Sequence, residues 1–214
     1  MKLEDIQVII WDVDGTLYET HDLSHEVYVS AYKAIEEVMH WPEAKCIEEF
    51  EKVHEKITLS ATEAVAMICN LTTAQSAVLT DKYLDRMRFI SHDDKLIALF
   101  GELKGFSHYI LGNGSKERIV EGLRGLGLDP GIFKEIVTSE IVGVNKPKDD
   151  GFRYIAEKTG LPYANHLMVG DRDRVDLVPA KALGMKTALV WSIKPSTVAD
   201  ITLPTVYELS QVLL

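Results

Sequence analysis

Three short apolar runs in this 214-residue chain end on groups that can do chemistry. Val8-Ile9-Ile10-Trp11 stops at Asp12, with Asp14 two residues on. Tyr109-Ile110-Leu111 leads to Gly112-Asn113, and His166-Leu167-Met168-Val169 leads to Gly170-Asp171. Runs this compact fit strands buried on both faces of a parallel sheet, whose carboxyl ends converge on one ligand-binding crevice. Several carboxylates meeting there repel one another and resist joint ionisation. A hard divalent cation removes that conflict, and Mg²⁺ favours oxygen ligands with few protein carboxylates. Lys146, in Val144-Asn145-Lys146-Pro147, adds a cation that can offset the carboxylates or grip a phosphate oxygen. Gly112-Asn113-Gly114-Ser115, opening a helix, offers backbone N–H groups to an anion. A metal, a lysine and an anion seat together suit phosphoryl transfer.

The elements that must position these groups read in three stretches. The first strand is followed by the turn residues Asp14-Gly15-Thr16, and residues 17–92 then read as helices only. Ser24 is placed to cap a helix with Val27, Ala31, Ile35 and Val38 on one face, broken by Trp41-Pro42. Cys46, Ile47, Phe50, Val53 and Ile57 mark a second. Ser60 with Glu63 and Thr72 with Gln75 are capping pairs for two more, the last carrying Val78, Leu79, Tyr83, Met87 and Ile90. From residue 93 strands and helices alternate. Helices are expected at about 94–103, after Ser115, between Asp149 and Gly160, at about 175–183 and near 206–213. Strands are expected at 109–111, 136–137, 166–169 and 187–190. The alternation predicts an α/β chain with a doubly wound, Rossmann-like parallel sheet. The helical stretch predicts an all-helical cap domain, 17–92, inserted after the first strand of a core domain formed by 1–16 and 93–214.

Asp12-Val13-Asp14-Gly15-Thr16-Leu17 resembles the first motif of the haloacid-dehalogenase-like hydrolase superfamily. Ile110-Leu111-Gly112-Asn113 sits where the second is expected, and Lys146-Pro147 fits the third. Val169-Gly170-Asp171, followed by Asp176, Ala180 and Gly184, resembles the fourth. The resemblance implies a phosphatase in which Asp12 attacks phosphorus and Asp14 protonates the leaving group, then takes a proton from the hydrolytic water. Asp12, the Asp14 backbone carbonyl and Asp171 would hold Mg²⁺, with Asp176 ordering that loop or the metal's waters. Asn113 and Gly112 would bind phosphate, and Lys146 would steady nucleophile and phosphoryl group. Dehalogenase relatives lack a carboxylate at the Asp14 position, because a halide leaves without a proton. Gly112 departs from the usual Ser or Thr, forgoing a hydroxyl donor worth about 1.5–3 kcal/mol to a charged group. Gly112→Thr is therefore expected to raise phosphatase efficiency. The same residues suit a sugar-phosphate phosphomutase, or a catalytically weakened phosphate-binding regulatory module.

The net charge of −10 argues against nucleic acid and anionic membrane as partners. No apolar stretch approaches the roughly 18 residues of a membrane span, and the acidic N-terminus does not fit a signal peptide. Cys46 and Cys69 read as buried thiols rather than a disulfide framework. These features predict a cytoplasmic protein, monomer or homodimer, acting on a small phosphorylated substrate. His21 and His25 read as solvated surface, Trp11 as packing, Glu48-Glu49 with Glu51 as an exposed helix face, and Asp171-Arg172-Asp173-Arg174 as a loop balancing its own charge.

Overall fold

The computed structural model describes residues 3, 5–19, 23–58 and 60–214, without the side chains of residues 24, 57 and 58. Its first strand, β1 (Val8–Trp11), shows why the sheet is buried on both sides. Successive side chains point to opposite faces. Ile9 and Trp11 enter one apolar cluster, and Val8 and Ile10 enter another. The chain then runs through a helical block: α1 (Leu23–Met39), α2 (Glu43–Val53), α3 (Ala61–Cys69) and α4 (Thr73–Asp81). A π-helical segment, His54–Thr58, extends α2. This block has its own core of Ala31, Ile35, Cys46, Phe50, Val65 and Cys69, with both cysteines buried and free.

The chain returns through α5 (Asp94–Glu102), β2 (Ser107–Leu111), α6 (Lys116–Gly125), β3 (Phe133–Val137), α7 (Ser139–Val142) and α8 (Asp150–Thr159). It finishes with β4 (His166–Gly170), α9 (Val178–Ala182), β5 (Lys186–Leu189), β6 (Ile201–Thr202) and α10 (Leu209–Leu213). The strands form one all-parallel sheet in the order β3-β2-β1-β4-β5-β6. Leu96 and Phe100 of α5, Leu123 of α6 and Leu209 of α10 cover the Trp11 face; Phe152 and Ile155 of α8 and Ala180 of α9 cover the other. This is the expected doubly wound α/β sheet. Connections leave β1 toward β2 on one side and β4 on the other, so a crevice opens at the carboxyl ends of β1 and β4. No helix among the described residues is long and apolar enough to cross a membrane.

Local expectations are corrected at several ends. The first helix begins at Leu23, so Ser24 lies within it rather than at its cap. Ser115 stands at the N-cap of α6, but both its N–H and its Oγ–H donate to the Asp81 carboxylate, at 3.2 and 2.6 Å, so the residue ties two segments together. Asp149 makes no cap bond and accepts instead from Arg153 Nε at 2.8 Å. The fourth helix stops at Asp81, well short of Tyr83, Met87 and Ile90. A 3₁₀ turn, Arg86–Phe89, delivers Met87 and Ile90 against Gly125 of α6, where a Cβ would lie only 2.7 and 2.8 Å from their side chains. The capping box of Thr72 and Gln75 forms as expected, and Gly160 ends α8 at φ +67°. Strand β6 and helix α7, of two and four residues, are too short to show a period in sequence.

Candidate active site

The ladder of β1 continues past its end, with Asp12 N–H donating to Val169 O at 3.0 Å. That bond sets the Asp12 side chain beside the end of β4. Lys146 reaches the same point from the loop before α8, and its ammonium donates to Asp12 Oδ1 and Asp176 Oδ1, both at 2.7 Å. Lys146 is only 2% exposed and Asp176 is fully buried. Burial alone would lower the Lys146 pKa, but Asp12 and Asp176 outweigh it and hold the ammonium above its usual range. Burial likewise works to raise the Asp12 pKa, and Lys146 and Arg172 overcome it, so Asp12 is held as a carboxylate. Thr16 Oγ1–H donates to Asp12 Oδ2 at 3.0 Å. Asp12 is thus charged, desolvated and aimed.

Asp12, Asp171 and Asp176 each place a carboxylate oxygen within 4.8 Å of the other two. Burial, then the charges of Asp12 and Asp176, push Asp171 up to about 7. Asp176 is also raised, burial outweighing Lys146. The Lys146 ammonium and the Arg172 guanidinium against three carboxylates leave one negative charge unmatched, and an all-oxygen donor set of this kind suits a hard divalent cation. Gly15, at φ +82°, allows this crowding, since a Cβ there would sit 2.6 Å from Asp171 Oδ2. Asp176 Oδ2 also accepts from Arg172 N–H at 3.2 Å and so pins the loop that carries Asp171.

Asp14 stands outside the carboxylate cluster. Its Oδ1 accepts from the Tyr18 hydroxyl at 2.5 Å and its Oδ2 from Arg86 Nε at 3.0 Å. Arg86 also pairs with Asp81, the residue that holds Ser115. These bonds link the end of the helical block to Asp14 and to α6. Arg86 was not singled out in the sequence, because it stands in a segment with helical spacing and only the 3₁₀ turn directs it into the cleft. An arginine between Asp85 and Met87 is a weak signal that would have fitted a surface helix equally well.

Asn113 lines the cleft, and its side chain also engages the protein itself. Its Oδ1 accepts from Lys146 N–H and its Nδ2–H donates to Lys146 O, both at 2.9 Å. The side chain clamps the backbone that aims Lys146. The helical block reaches this loop too, with Thr62 Oγ1–H donating to Asn113 O at 3.3 Å and Asn145 Nδ2–H to Ser60 Oγ at 3.2 Å. At Gly112 a Cβ would lie 2.5 Å from Ile119 Cδ1, so α6 fills the space a hydroxyl-bearing side chain would need.

A cleft of about 480 Å³ lies between sheet and helical block, lined by Asp12, Asp14, Gly112, Asn113 and Asp171 together with Tyr28, His54, Thr62 and Arg86. Arg172 and Arg174 also line it, and Arg172 Nε lies 3.7 Å from Asp171 Oδ1, so the Asp171–Arg174 segment is cleft wall that also balances part of its own charge. His25 is exposed and Trp11 is buried packing, its indole N–H donating to His108 Nδ1 at 3.1 Å; His21 lies outside the described residues.

A parallel sheet with this strand order, acidic strand ends and a buried lysine define a class, and comparison with known proteins places the chain in it. Residues 6–184 match the model of the haloacid dehalogenase-like hydrolase family; the chain belongs to that family and is a hydrolase. Pyrophosphatase PpaX of Bacillus pumilus is 26% identical over 207 residues, covering 91% of this chain and 88% of that protein. The crystal structure of a HAD phosphatase from Thermococcus onnurineus superposes with a TM-score of 0.68 at 20% identity, over 97% of each chain. The magnesium-bound putative HAD-hydrolase YfnB of Bacillus subtilis does so with a TM-score of 0.65 at 23% identity, over 98% of this chain and 99% of that one.

Proposed function

We propose that this hydrolase is a Mg²⁺-dependent phosphatase acting on a small phosphomonoester through a phosphoryl-Asp12 intermediate. Residues 1–16 and 93–214 serve as its catalytic domain and 17–92 as the cap. The observation that carries this is the buried Lys146–Asp12 contact of 2.7 Å at the end of β1, beside two further carboxylates. Such a carboxylate stays ionised at neutral pH and presents an anionic oxygen to phosphorus. The pyrophosphatase name of the relative from B. pumilus and the magnesium bound by the B. subtilis protein support the same reading.

Asp12 attacks phosphorus in line with the leaving oxygen, splitting one hydrolysis into two displacements. Lys146 and backbone N–H groups at 112–114 balance the charge of the transferring group. Asp14, released by Tyr18 and Arg86 and protonated from solvent, gives that proton to the leaving alkoxide, then takes one from the water that attacks phosphoryl-Asp12. Asp171 and Asp12, with Asp176 behind them, would hold Mg²⁺, which supplies charge neutralisation and orients phosphate oxygens. The helical block closes the cleft against bulk water. An alkoxide leaving group needs Asp14 and a halide does not, so phosphate ester rather than carbon–halogen chemistry follows.

The test is release of inorganic phosphate from p-nitrophenyl phosphate with Mg²⁺. It should vanish on chelation and in Asp12→Asn. A fully active Asp12→Asn protein would refute the nucleophile assignment, and isomerised sugar phosphate in place of free phosphate would identify a mutase.

A further inference from the structure

Trp191, just past the end of β5, holds a left-handed backbone at φ +58°. Bulky residues are rare in that region, and such strain persists only where the surroundings impose it. Here the chain is pinned on both sides, with Val190 N–H donating to Gly170 O at 3.1 Å and Ser192 N–H to Leu203 O at 3.2 Å. The Trp191 indole N–H donates to Thr16 O at 2.9 Å. Its ring meets Tyr207 edge-on at 5.6 Å and 88°. Tyr207 in turn donates its hydroxyl to Asp93 Oδ2 at 2.6 Å, and Asp93 Oδ1 accepts from Lys95 and Leu96 N–H, both at 3.0 Å, at the start of α5. The indole is therefore anchored at one end on the core and aimed at the turn that follows Asp12.

We propose that Trp191 is a positioning residue for the nucleophile, acting through Thr16. This rests on the phosphatase reading of Asp12. Thr16 is fully buried, and its N–H donates to Val13 O at 3.1 Å within the turn. Its hydroxyl donates to Asp12 Oδ2 at 3.0 Å, while Asp171 Oδ1, at 3.5 Å, is too distant to compete. Lys146 takes the other oxygen, Asp12 Oδ1, at 2.7 Å. Hydroxyl and ammonium together fix the rotation of the Asp12 carboxylate, and in-line attack on phosphorus is sensitive to small misplacement of that oxygen. Each of these two donors has its own clamp. Asn113 holds the backbone of Lys146, and Trp191 holds the backbone of Thr16. A ring without the N–H would pack on Tyr207 equally well but would leave the Thr16 carbonyl without this donor and its hydroxyl less firmly aimed.

The first turnover of p-nitrophenol release, followed by stopped flow at saturating p-nitrophenyl phosphate with Mg²⁺, reads attack by Asp12. Trp191→Phe keeps a ring against Tyr207 and deletes the N–H. It should slow that turnover about tenfold with KM unchanged, roughly the worth of one hydrogen bond. Thr16→Val deletes the hydroxyl and should slow it at least as much. Because Trp191 acts through Thr16, the double variant should be no slower than Thr16→Val alone. A wild-type rate in Trp191→Phe, a change in KM alone, or losses that multiply in the double variant would overturn the proposal. Where Trp191→Phe does not fold, Trp191→Asn, which suits a left-handed backbone but carries no indole, takes its place with the same expected outcome. Wild-type protein that hydrolyses neither p-nitrophenyl phosphate nor acetyl phosphate would refute the phosphatase reading instead. The Trp191 indole N–H resonance, identified by its loss in either variant, would then still decide the positioning. Asp12→Asn should shift it, and should no longer do so once Thr16→Val is present; an identical resonance in wild type and Asp12→Asn overturns the coupling.

Discussion

The two walls of the cleft are built differently. On the sheet side Asp12, Lys146 and Asp176 are buried, with Lys146 2.7 Å from each carboxylate; a strand end places Asp12, a clamped loop places Lys146 and the helical turn Asp173–Leu177 carries Asp176. On the helical side Tyr28 and His54 are half-buried. Rigid, desolvated charges give strong fixed electrostatics, which phosphoryl transfer requires. Half-exposed rings are cheaper to rearrange. The contrast is between fixed, desolvated charge on the sheet side and half-exposed rings on the helical side, joined by Arg86 and the loop at Asn113.

Experiments can break that contrast at the sheet wall first. Asp12→Asn should lower phosphate release by at least about 10³-fold, measured as kcat, while thermal unfolding stays cooperative. Lys146→Met should slow the reaction and also destabilise the protein by about 3–5 kcal/mol in urea unfolding, because it strands buried carboxylates without their cation. A loss of activity with unchanged stability would show that Lys146 does not hold the cluster together.

Gly112 sharpens the comparison, because there α6 intrudes on the chemical wall. Gly112→Thr alone should cost about 1–3 kcal/mol and some activity, since its Cβ meets Ile119 Cδ1 at 2.5 Å. Combined with Ile119→Val, which removes the Cδ1 methyl alone, it should regain stability and raise kcat/KM about tenfold, the worth of one hydroxyl donor to phosphate. The expected gain from Gly112→Thr thus depends on first emptying its space.

The smallest effect is a pH dependence. Asp171 titrates near 7 in the metal-free fold and near 3.8 in the unfolded chain. Between those values the folded state holds the extra proton, so metal-free stability falls as pH rises through that window. A bound cation needs the carboxylate charged, so the Mg²⁺-induced rise in Tm should grow from pH 6 to pH 8. Equal rises at both would remove Asp171 from the metal site.

The sequence by itself determined every strand but β6, their buried runs and the acidic groups at the ends of β1 and β4, because burial period and strand termini are local properties of a chain. Asp12, Lys146 and Asp171 were legible for that reason, and so was the helical character of 17–92. Only the tertiary structure decided which atoms meet. It turned Asn113 onto the Lys146 backbone, brought Arg86 to Asp14 across 72 residues and set Ile119 into the space beside Gly112. Such contacts arise from packing between segments distant in sequence, where shape and desolvation outweigh any local preference of the residues involved.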